Sequence, residues 1–387
     1  MGIARRTRSR RDRHRDQPDE RALTRPATAQ ELATRLNAEV IGDPSRTIVG
    51  PAAPEHATSE DVVAVSGTAW LAVAKASSAG TVVLRTQDLE AYGDAENKTL
   101  ILVDDAPLRR TLEIFAPKED VPAPGIHPSA VVDPSVSLGR DVCIGPFVEV
   151  GPGAALGDGV ILESGSRVGA RAKIGARTRL RSHAILGRDC ELGEDGTLHE
   201  HAVVGGEGFG FDYAPGQPAH RLLHLGAVCI GNRFELGVQS CVDRGLLTNT
   251  TIGHDVKIDN LCQVGHNAKV GDRVRMSGMS GVAGSSVLED DVVLAGAAIV
   301  KDHVTVHQGA TIGMDACVIS DVPAGEVWSG SPARPHRQFL RSVALINRLA
   351  RTKPGHSTRT LPLHPIRIQA CSNERWRRLL NWRAPDF

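Results

Sequence analysis

The sequence predicts a mainly β protein, in which a three-sided parallel β-helix of about ten coils follows a small α/β domain and precedes a C-terminal helix. The first observation is the scarcity of aromatic residues, 3% of 387, beside 40 glycines, which indicates a thin interior that large rings do not fill. The second is a hydrophobic content of 41% with 23% charged residues, as in folded proteins. The third is a repeat with a period of six residues.

The repeat runs in two long phases. Stepping by six from Ile126 meets an aliphatic residue at every step to Val204, and a second phase runs from Ile252 to Val318 with only Met276 not aliphatic. The fifth residue of each hexad is small or β-branched. One aliphatic and one small inward residue per hexad describe short strands separated by bends, and three such hexads complete one coil. Stacked about 4.8 Å apart, ten coils reach roughly 45 Å.

The two phases are separated by breaks around 205–227 and 243–251, with a short run in phase between them. A β-sandwich is the alternative fold, but sandwich strands do not keep one phase over so many residues. The predicted organisation therefore comprises, in chain order, a basic disordered tail at 1–26, an α/β domain at 27–120, the β-helix at 121–328, a C-terminal helix at 329–352 and an irregular tail at 353–387.

Local patterns predict the elements outside the repeat. Thr28 with Glu31 three residues later is typical of a capped helix start. Apolar runs at 81–84 and 100–103 predict buried strands, and 107–115 predicts a second helix. After the repeat, apolar residues recur at helical spacing at Phe339, Val343, Ile346 and Leu349.

The charge balance gives the whole molecule no electrostatic reason to bind nucleic acid, because its formal net charge is zero. No signal peptide and no apolar run of about 20 residues is evident, so we expect a cytoplasmic protein. The seven cysteines form no CxxC pair and predict buried thiols, not a zinc site or disulfides. The basic segment 375–383 holds two tryptophans, and either packing on its own assembly or contact with an anionic membrane surface is open.

Candidate chemistry comes from stacking positions that are three hexads apart. His266, Gly284 and Asp302 form one column, and His303 ends the neighbouring column that starts at Asn267 and Ser285. A neutral imidazole is the usual general base for acyl transfer, and a glycine beside it leaves room for substrate and offers its N–H to an oxyanion. No Ser-His-Asp or Cys-His unit is evident, so direct attack on the acyl donor is the simpler mechanism.

A second group of histidines raises the question of a metal. His199-Glu200-His201 with His220 and His224 could in principle supply ligands. Their spacing does not match one coil, and the second pair falls in a break of the repeat. We therefore expect no metal.

Three strings carry a family resemblance: VGGEGFGF at 204–211, VDRG at 242–245 and IDNLCQVGHN at 258–267. In order and spacing they resemble the UDP-3-O-(3-hydroxyacyl)glucosamine N-acyltransferases of lipid A biosynthesis, which belong to the hexapeptide-repeat acyltransferases. The resemblance covers about residues 27–350. It implies a left-handed β-helix, a homotrimer with active sites between subunits, and an acyl donor carried on acyl carrier protein, with no cofactor.

The resemblance also implies residue roles. His266 would be the general base for the glucosamine 2-amine, Gly284 would donate its N–H to the oxyanion, and His303 would assist nearby. Asp259 and Asn260 would support the base or contact the pantetheine arm.

Further residues would bind substrate by the same resemblance. Phe209 belongs to the GFG loop, and Met314 falls in the segment that limits acyl-chain length. Trp70 would stack on uracil, where the family has a Phe and a Tyr with an Asn between them; here Ala64 and Gly67 take the other two places.

These departures leave a second reading open, in which the chain acylates a different nucleotide-linked amino sugar from acyl carrier protein or acetyl-CoA. Glu207, where the family usually has Asp, is a further departure. A non-catalytic β-helix scaffold or a metal-dependent hydratase is the third reading. The His266 column argues against a scaffold.

Overall fold

A computed structural model describes residues 26–94, 97–117, 122–212 and 214–351. For residues 349–351 it describes the backbone only. The predicted tail at 353–387 and all but the last residue of the tail at 1–26 lie outside the described residues. The described chain forms two compact units, 26–117 and 122–351.

The first unit is an α/β domain. The elements of this unit are β1 (Ala27–Thr28), α1 (Ala29–Leu36), β2 (Glu39–Ile41), β3 (Thr47–Ile48), β4 (Gly50–Pro51), β5 (Asp61–Ala64), α2 (Leu71–Ala76), β6 (Thr81–Arg85), α3 (Leu89–Tyr92), β7 (Thr99–Val103) and α4 (Pro107–Phe115). Five strands form a sheet of order β2-β7-β6-β5-β4, in which β2 runs antiparallel and the other neighbours are parallel. A separate antiparallel pair joins β1 to β3.

The sheet of this unit is covered on both faces, because alternate residues of its central strands enter different cores. Val82 and Leu84 pack with α2 and α3, whereas Val83 packs with α1 and α4. Thr28 caps α1 through a reciprocal capping box with Glu31. The predicted helices and buried strands of this region are confirmed.

The second unit is the predicted β-helix. Strands pair in parallel into sheets of 12, 10 and 9 members, except for the antiparallel pair that ends the first sheet. The coil strands are β8 (Gly125–Ile126), β9 (Val131–Val132), β10 (Ser137–Leu138), β11 (Cys143–Ile144), β12 (Glu149–Val150), β13 (Ala155–Leu156), β14 (Ile161–Leu162), β15 (Arg167–Val168), β16 (Lys173–Ile174), β17 (Arg179–Leu180), β18 (Ile185–Leu186), β19 (Glu191–Leu192), β20 (Thr197–Leu198) and β21 (Val203–Glu207) before the first break.

A hairpin of β22 (Phe211–Asp212) and β23 (His220–Arg221) fills that break. The coils then continue with β24 (Val228–Ile230), β25 (Glu235–Leu236), β26 (Cys241–Arg244), β27 (Thr250–Ile252), β28 (Lys257–Ile258), β29 (Gln263–Val264), β30 (Lys269–Val270), β31 (Arg275–Met276), β32 (Gly281–Val282), β33 (Val287–Leu288), β34 (Val293–Leu294), β35 (Ile299–Val300), β36 (Thr305–Val306), β37 (Thr311–Ile312), β38 (Cys317–Val318), β39 (Val327–Ser329) and β40 (Arg334–Pro335).

Strand register shows how the breaks are accommodated. Ser137 pairs with Ala155, three hexads on, as the repeat predicts. Across the first break the interval in residue number grows to 38, where Glu191 pairs with Cys229, and across the second it is 22, where Cys229 pairs with Thr251. The inserted residues therefore protrude at a corner of the prism, and the strands of the following coils again pair three hexads apart.

Each coil turns at three corners, which we name by the sheets they join. The first corner leads from the 12-stranded to the 10-stranded sheet, the second from the 10- to the 9-stranded sheet, and the third back to the 12-stranded sheet. Glycines that follow the aliphatic residues lie close to the next coil: a Cβ on Gly169 would be 2.4 Å from the Arg188 nitrogen. This spacing explains the recurring aliphatic-Gly pairs.

The C-terminal helix α5 (His336–Arg351) begins seven residues later than the 329 predicted. The intervening residues form β39 and the antiparallel β40, which extend the first sheet. The hydroxyl of Ser329 and Nδ1 of His336 are hydrogen-bonded at 2.9 Å, and a Cβ on Gly330 would be 2.6 Å from the Phe339 ring. The helix is therefore fixed to the end of the β-helix at its first turn.

The predicted burial of the cysteines holds for only some of those that the structure describes: Cys229, Cys241 and Cys317 are half-buried, whereas Cys143, Cys190 and Cys262 are buried. Burial raises the pKa of each of the three buried thiols, which disfavours the nucleophilic thiolate. Within the described residues, no helix is both long and apolar enough to cross a bilayer.

Candidate active site

The His266 column lies at the second corner. The backbone N–H of Ser285 donates to the His266 carbonyl at 2.9 Å, and that of His303 donates to the Gly284 carbonyl at 3.3 Å. His266, Gly284 and Asp302 are therefore stacked in the order that the three-hexad arithmetic predicts. His266 is half-buried and His303 is exposed.

The His266 ring is oriented by its neighbour. Nδ1 lies 3.1 Å from Oδ1 of Asn267, which also accepts the Leu246 N–H at 2.9 Å. The amide nitrogen of Asn267 donates to the carbonyl and hydroxyl of Thr248 at 3.0 and 2.9 Å, which fixes the oxygen toward His266. Nδ1 must therefore carry the proton of the neutral imidazole, so Nε2 keeps its lone pair as a base requires.

Gly284 lies directly over Nε2. A Cβ built at this position would be 2.7 Å from Nε2 and 2.8 Å from Cε1 of His266, so no larger residue fits without moving the ring. Within the described chain the Gly284 N–H makes no backbone hydrogen bond. Nε2 of His266 and the bare backbone of Gly284 therefore lie side by side, and transfer of an acyl group through an oxyanion requires a base and a donor in such proximity.

Asp243 and His224, which the sequence analysis did not place at this site, lie behind His266. A Cβ on Gly208, in the GFG loop, would be 3.0 Å from Cβ of His266 and 3.1 Å from Oδ2 of Asp243. The His224 ring packs edge-on against His266, with centroids 5.5 Å apart. Burial raises the pKa of the Asp243 carboxyl, while the Gln263 amide and the imidazoles of His266 and His224 act in the opposite direction.

The histidines considered as metal ligands lie apart. Nε2 of His199 lies 2.8 Å from a Glu235 carboxylate oxygen, and His201 stacks on His183, whereas His224 packs on His266. The described residues contain no group of three side chains suited to a metal.

Asp259 and Asn260 lie at the first corner of the same chain, not beside His266. Oδ2 of Asp259 accepts the Gly278 N–H at 3.0 Å, and Oδ1 accepts from the Asn260 amide at 2.8 Å. Oδ1 of Asn260 in turn accepts the Val238 N–H at 2.7 Å. Within one chain the His266 ring is held by Asn267 and not by Asp259 or Asn260, whose contact with the pantetheine arm stays a prediction.

The other predicted substrate residues are exposed. Met314 also belongs to the first corner and is 76% exposed, and Phe209 on the GFG loop is 81% exposed with its ring edge-on to Phe211. Trp70, in the first unit, is 51% exposed at the end of a short helical turn that follows Gly67. Each side chain is open to a ligand or a second protein.

Comparison with known proteins bears on this geometry. Residues 135–170 match the family model described as bacterial transferase hexapeptide (six repeats). A Caulobacter sp. (strain K31) protein named UDP-3-O-acylglucosamine N-acyltransferase is 44% identical over 156 residues, 40% of this chain and 45% of that protein. A protein of the same name from Maricaulis maris is 41% identical over 152 residues, 39% of this chain and 44% of that protein.

Among solved structures, that of an Arabidopsis UDP-N-acetylglucosamine acyltransferase is 28% identical with a TM-score of 0.49, and the match covers 62% of this chain and 86% of that one. The chain spans less than half the length of the curated relatives it matches. The chain thus carries a bacterial transferase hexapeptide segment and, over two-fifths of its length, is similar to proteins named UDP-3-O-acylglucosamine N-acyltransferase.

Proposed function

We propose that the chain is an N-acyltransferase of lipid A biosynthesis, which moves a (3R)-3-hydroxyacyl chain from acyl carrier protein to the 2-amine of UDP-3-O-acylglucosamine. The observation that carries the proposal is that Nε2 of His266 lies beside the bare backbone of Gly284, with Nδ1 of the same ring held by Asn267. The names of the relatives support the substrate class.

The reaction follows from this geometry. The 2-amine attacks the thioester carbon, and Nε2 of His266 takes the proton that the nitrogen loses as the N–C bond forms. The Gly284 N–H donates to the oxygen, which is negatively charged in the tetrahedral intermediate. When the C–S bond breaks, the imidazolium returns the proton to the departing thiolate, so no covalent enzyme intermediate is needed.

A homotrimer is part of the proposal. His266 lies at the second corner, whereas Asp259, Asn260 and Met314 lie at the first, and one sheet of the same prism separates the two corners. Both sets can serve one substrate if the first corner of one copy faces the second corner of the next. The exposed side chain of Met314 would then limit the acyl chain held in that groove.

The test compares His266→Ala with His254→Ala. His254 occupies the same place in its turn, before the left-handed residue Asp255, but lies at the third corner. With hydroxyacyl carrier protein and UDP-3-O-acylglucosamine, we expect His266→Ala to lose roughly 100- to 10,000-fold in kcat while staying trimeric, and His254→Ala to keep its activity. Equal activity of His266→Ala and the wild type would remove the mechanism.

A second candidate acceptor is supported by the first unit. Trp70 is half-exposed, and the nearby positions Ala64 and Gly67 offer no second ring to hold a uracil between two faces. A mass-spectrometric screen of acyl donors against nucleotide-linked amino sugars separates the two readings. Product from another sugar, with none from the glucosamine, would favour the second.

A further inference from the structure

The starting point is the neutral partner of His266. When Nε2 takes a proton the ring becomes a cation, and in many catalytic histidines a carboxylate on Nδ1 stabilises that charge. Here Nδ1 donates to the Asn267 amide, whose oxygen is already shared with the Leu246 N–H. The amide orients the ring but carries no charge, so any anion that stabilises the imidazolium must lie elsewhere.

Asp243 is in a position to do so. It lies opposite Gly206 in the pairing of β26 with β21, where the register shifts by one residue, and the pairing ends one residue later at Arg244. Because the preceding Val242 pairs with Val264, Asp243 lies beside the turn that carries His266. A methyl group on Gly208 would lie 3.0 Å from Cβ and 3.2 Å from Cδ2 of His266, and 3.1 Å from Oδ2 of Asp243. Oδ2 of Asp243 is therefore no more than about 6 Å from either of these His266 atoms. The neighbouring Arg244 is turned away and donates to the Gly226 and Arg188 carbonyls.

The other titratable groups near the ring are His224, Asp302 and His303. His224 is 1% exposed, its Nδ1 donates to the Leu222 carbonyl at 3.2 Å, and its buried Nε2 meets no partner among the described residues. At the top of the column, Asp302 is exposed and forms an ion pair with Lys301, and His303 in the neighbouring column is also exposed. Asp243 is therefore the carboxylate that the partly water-excluded side of His266 faces.

We propose that Asp243 is a positioning residue that stabilises the His266 imidazolium across space, a role that Asn267 cannot perform. The inference rests on the proposed function, in which His266 gains a proton during each turnover. It also gives the GFG loop a purpose, because Gly208 covers the pair and a residue with a side chain there would force them apart or admit water.

The first test is Asp243→Asn, which keeps the shape and removes the charge. At about 6 Å and an effective dielectric constant of about 40, the lost attraction corresponds to roughly a tenfold fall in kcat. The acidic limb of the pH profile of kcat/KM should move to lower pH, because without the anion the ring gains its proton less readily. Asp243→Glu should recover much of the activity. Unchanged kcat and an unchanged profile in Asp243→Asn would overturn the proposal.

The second test does not depend on the substrate. Diethyl pyrocarbonate modifies neutral imidazole, and mass spectrometry of the His266 peptide gives the rate at each pH in the full-length protein. The midpoint of that profile should lie at lower pH in Asp243→Asn than in the wild type, and an identical midpoint would overturn the inference even if the acceptor sugar proves different. If Asp243→Asn does not fold, the same comparison is made with Asp243→Ser.

Stability separates this role from a structural one. Burial raises the pKa of the Asp243 carboxyl in the folded protein above its value in the unfolded chain. The free energy of unfolding therefore falls as pH rises from the unfolded pKa to the folded pKa, and it stays lower by the same amount at higher pH. Asp243→Asn removes that cost. A lower melting temperature with an unshifted pH profile would identify Asp243 as structural and overturn the proposal.

Discussion

Replacing Gly284 by alanine tests whether the bare backbone over His266 is required. The new Cβ would lie 2.7 Å from Nε2, 2.8 Å from Cε1 and 3.2 Å from Cδ2, whereas ordinary contact begins at 3.4 Å. The ring must therefore retreat by about 0.7 Å. Its Nδ1 bond to Asn267 is already 3.1 Å long and would stretch beyond hydrogen-bonding range if the retreat follows the bond.

The size of the effect follows from that displacement. Crowding of this kind destabilises a protein by about 1–3 kcal/mol, and a shift of a catalytic group by about 1 Å costs on the order of 100-fold in rate. Gly296 occupies the same place in its turn at the first corner, but a Cβ there would be 3.6 Å from the nearest atom. Gly296→Ala should therefore leave the free energy of unfolding unchanged or slightly higher.

A double-mutant cycle makes the test specific. Urea unfolding is measured for the wild type, Gly284→Ala, His266→Ala and the double variant. Because the three atoms nearest to the new methyl group all belong to the imidazole, the cost of Gly284→Ala should nearly vanish once His266 is alanine. An equal cost in both backgrounds would show that the glycine is needed for the backbone and would refute this reading of the site.

Two further predictions concern the prism itself. Leu180 is 0% exposed, so Leu180→Ala should lower the free energy of unfolding in urea by about 2–5 kcal/mol. Ile185 points outward and is 37% exposed, so Ile185→Ala should lower it much less. Similar losses for the two variants would contradict the assigned interior. At the third corner Arg233 forms two hydrogen bonds of 2.6 Å to Asp255 and lowers its pKa. Arg233→Ala should reduce the urea midpoint slightly at low ionic strength and not at high salt, and a salt-independent loss would contradict a surface ion pair.

The His266 column could be predicted from the sequence because it lies above both breaks, where every coil is three hexads long and position alone gives the stacking. Asp243 and His224 could not, although the VDRG string drew attention to one of them. On the coils before His266, Gln263 pairs with Cys241, and Cys241 pairs with Val203. Both intervals are longer than three hexads, so counting three hexads back from His266 does not identify the residues that lie beside it. Which nitrogen of His266 carries the proton also required the contacts of Asn267.

The ends of the repeat were also less predictable than its middle. Hydrophobic spacing identified the C-terminal helix but not its start at His336, because the residues before it form one more strand pair through a local turn at Gly330 that has no hexad pattern. The position of Asp259 and Asn260 relative to His266 was not predicted for another reason. A six-residue step moves a side chain to the next corner, so nearness in sequence to His266 places them on a different edge of the prism.

The long register interval between Glu191 and Cys229 has a consequence for cooperativity. In a stack where each coil contacts only its neighbours, folding spreads from coil to coil, and each added coil must close its own loop. Closing a loop about twice as long costs about 0.6 kcal/mol more, so the coil with the hairpin is the least favourable step for propagation between the lower and upper stacks. Asp243 stands on the first strand of the 10-stranded sheet above that joint, and His266 follows the next. The site is therefore assembled only once the two halves of the solenoid have joined, which ties its integrity to the folding of the whole repeat.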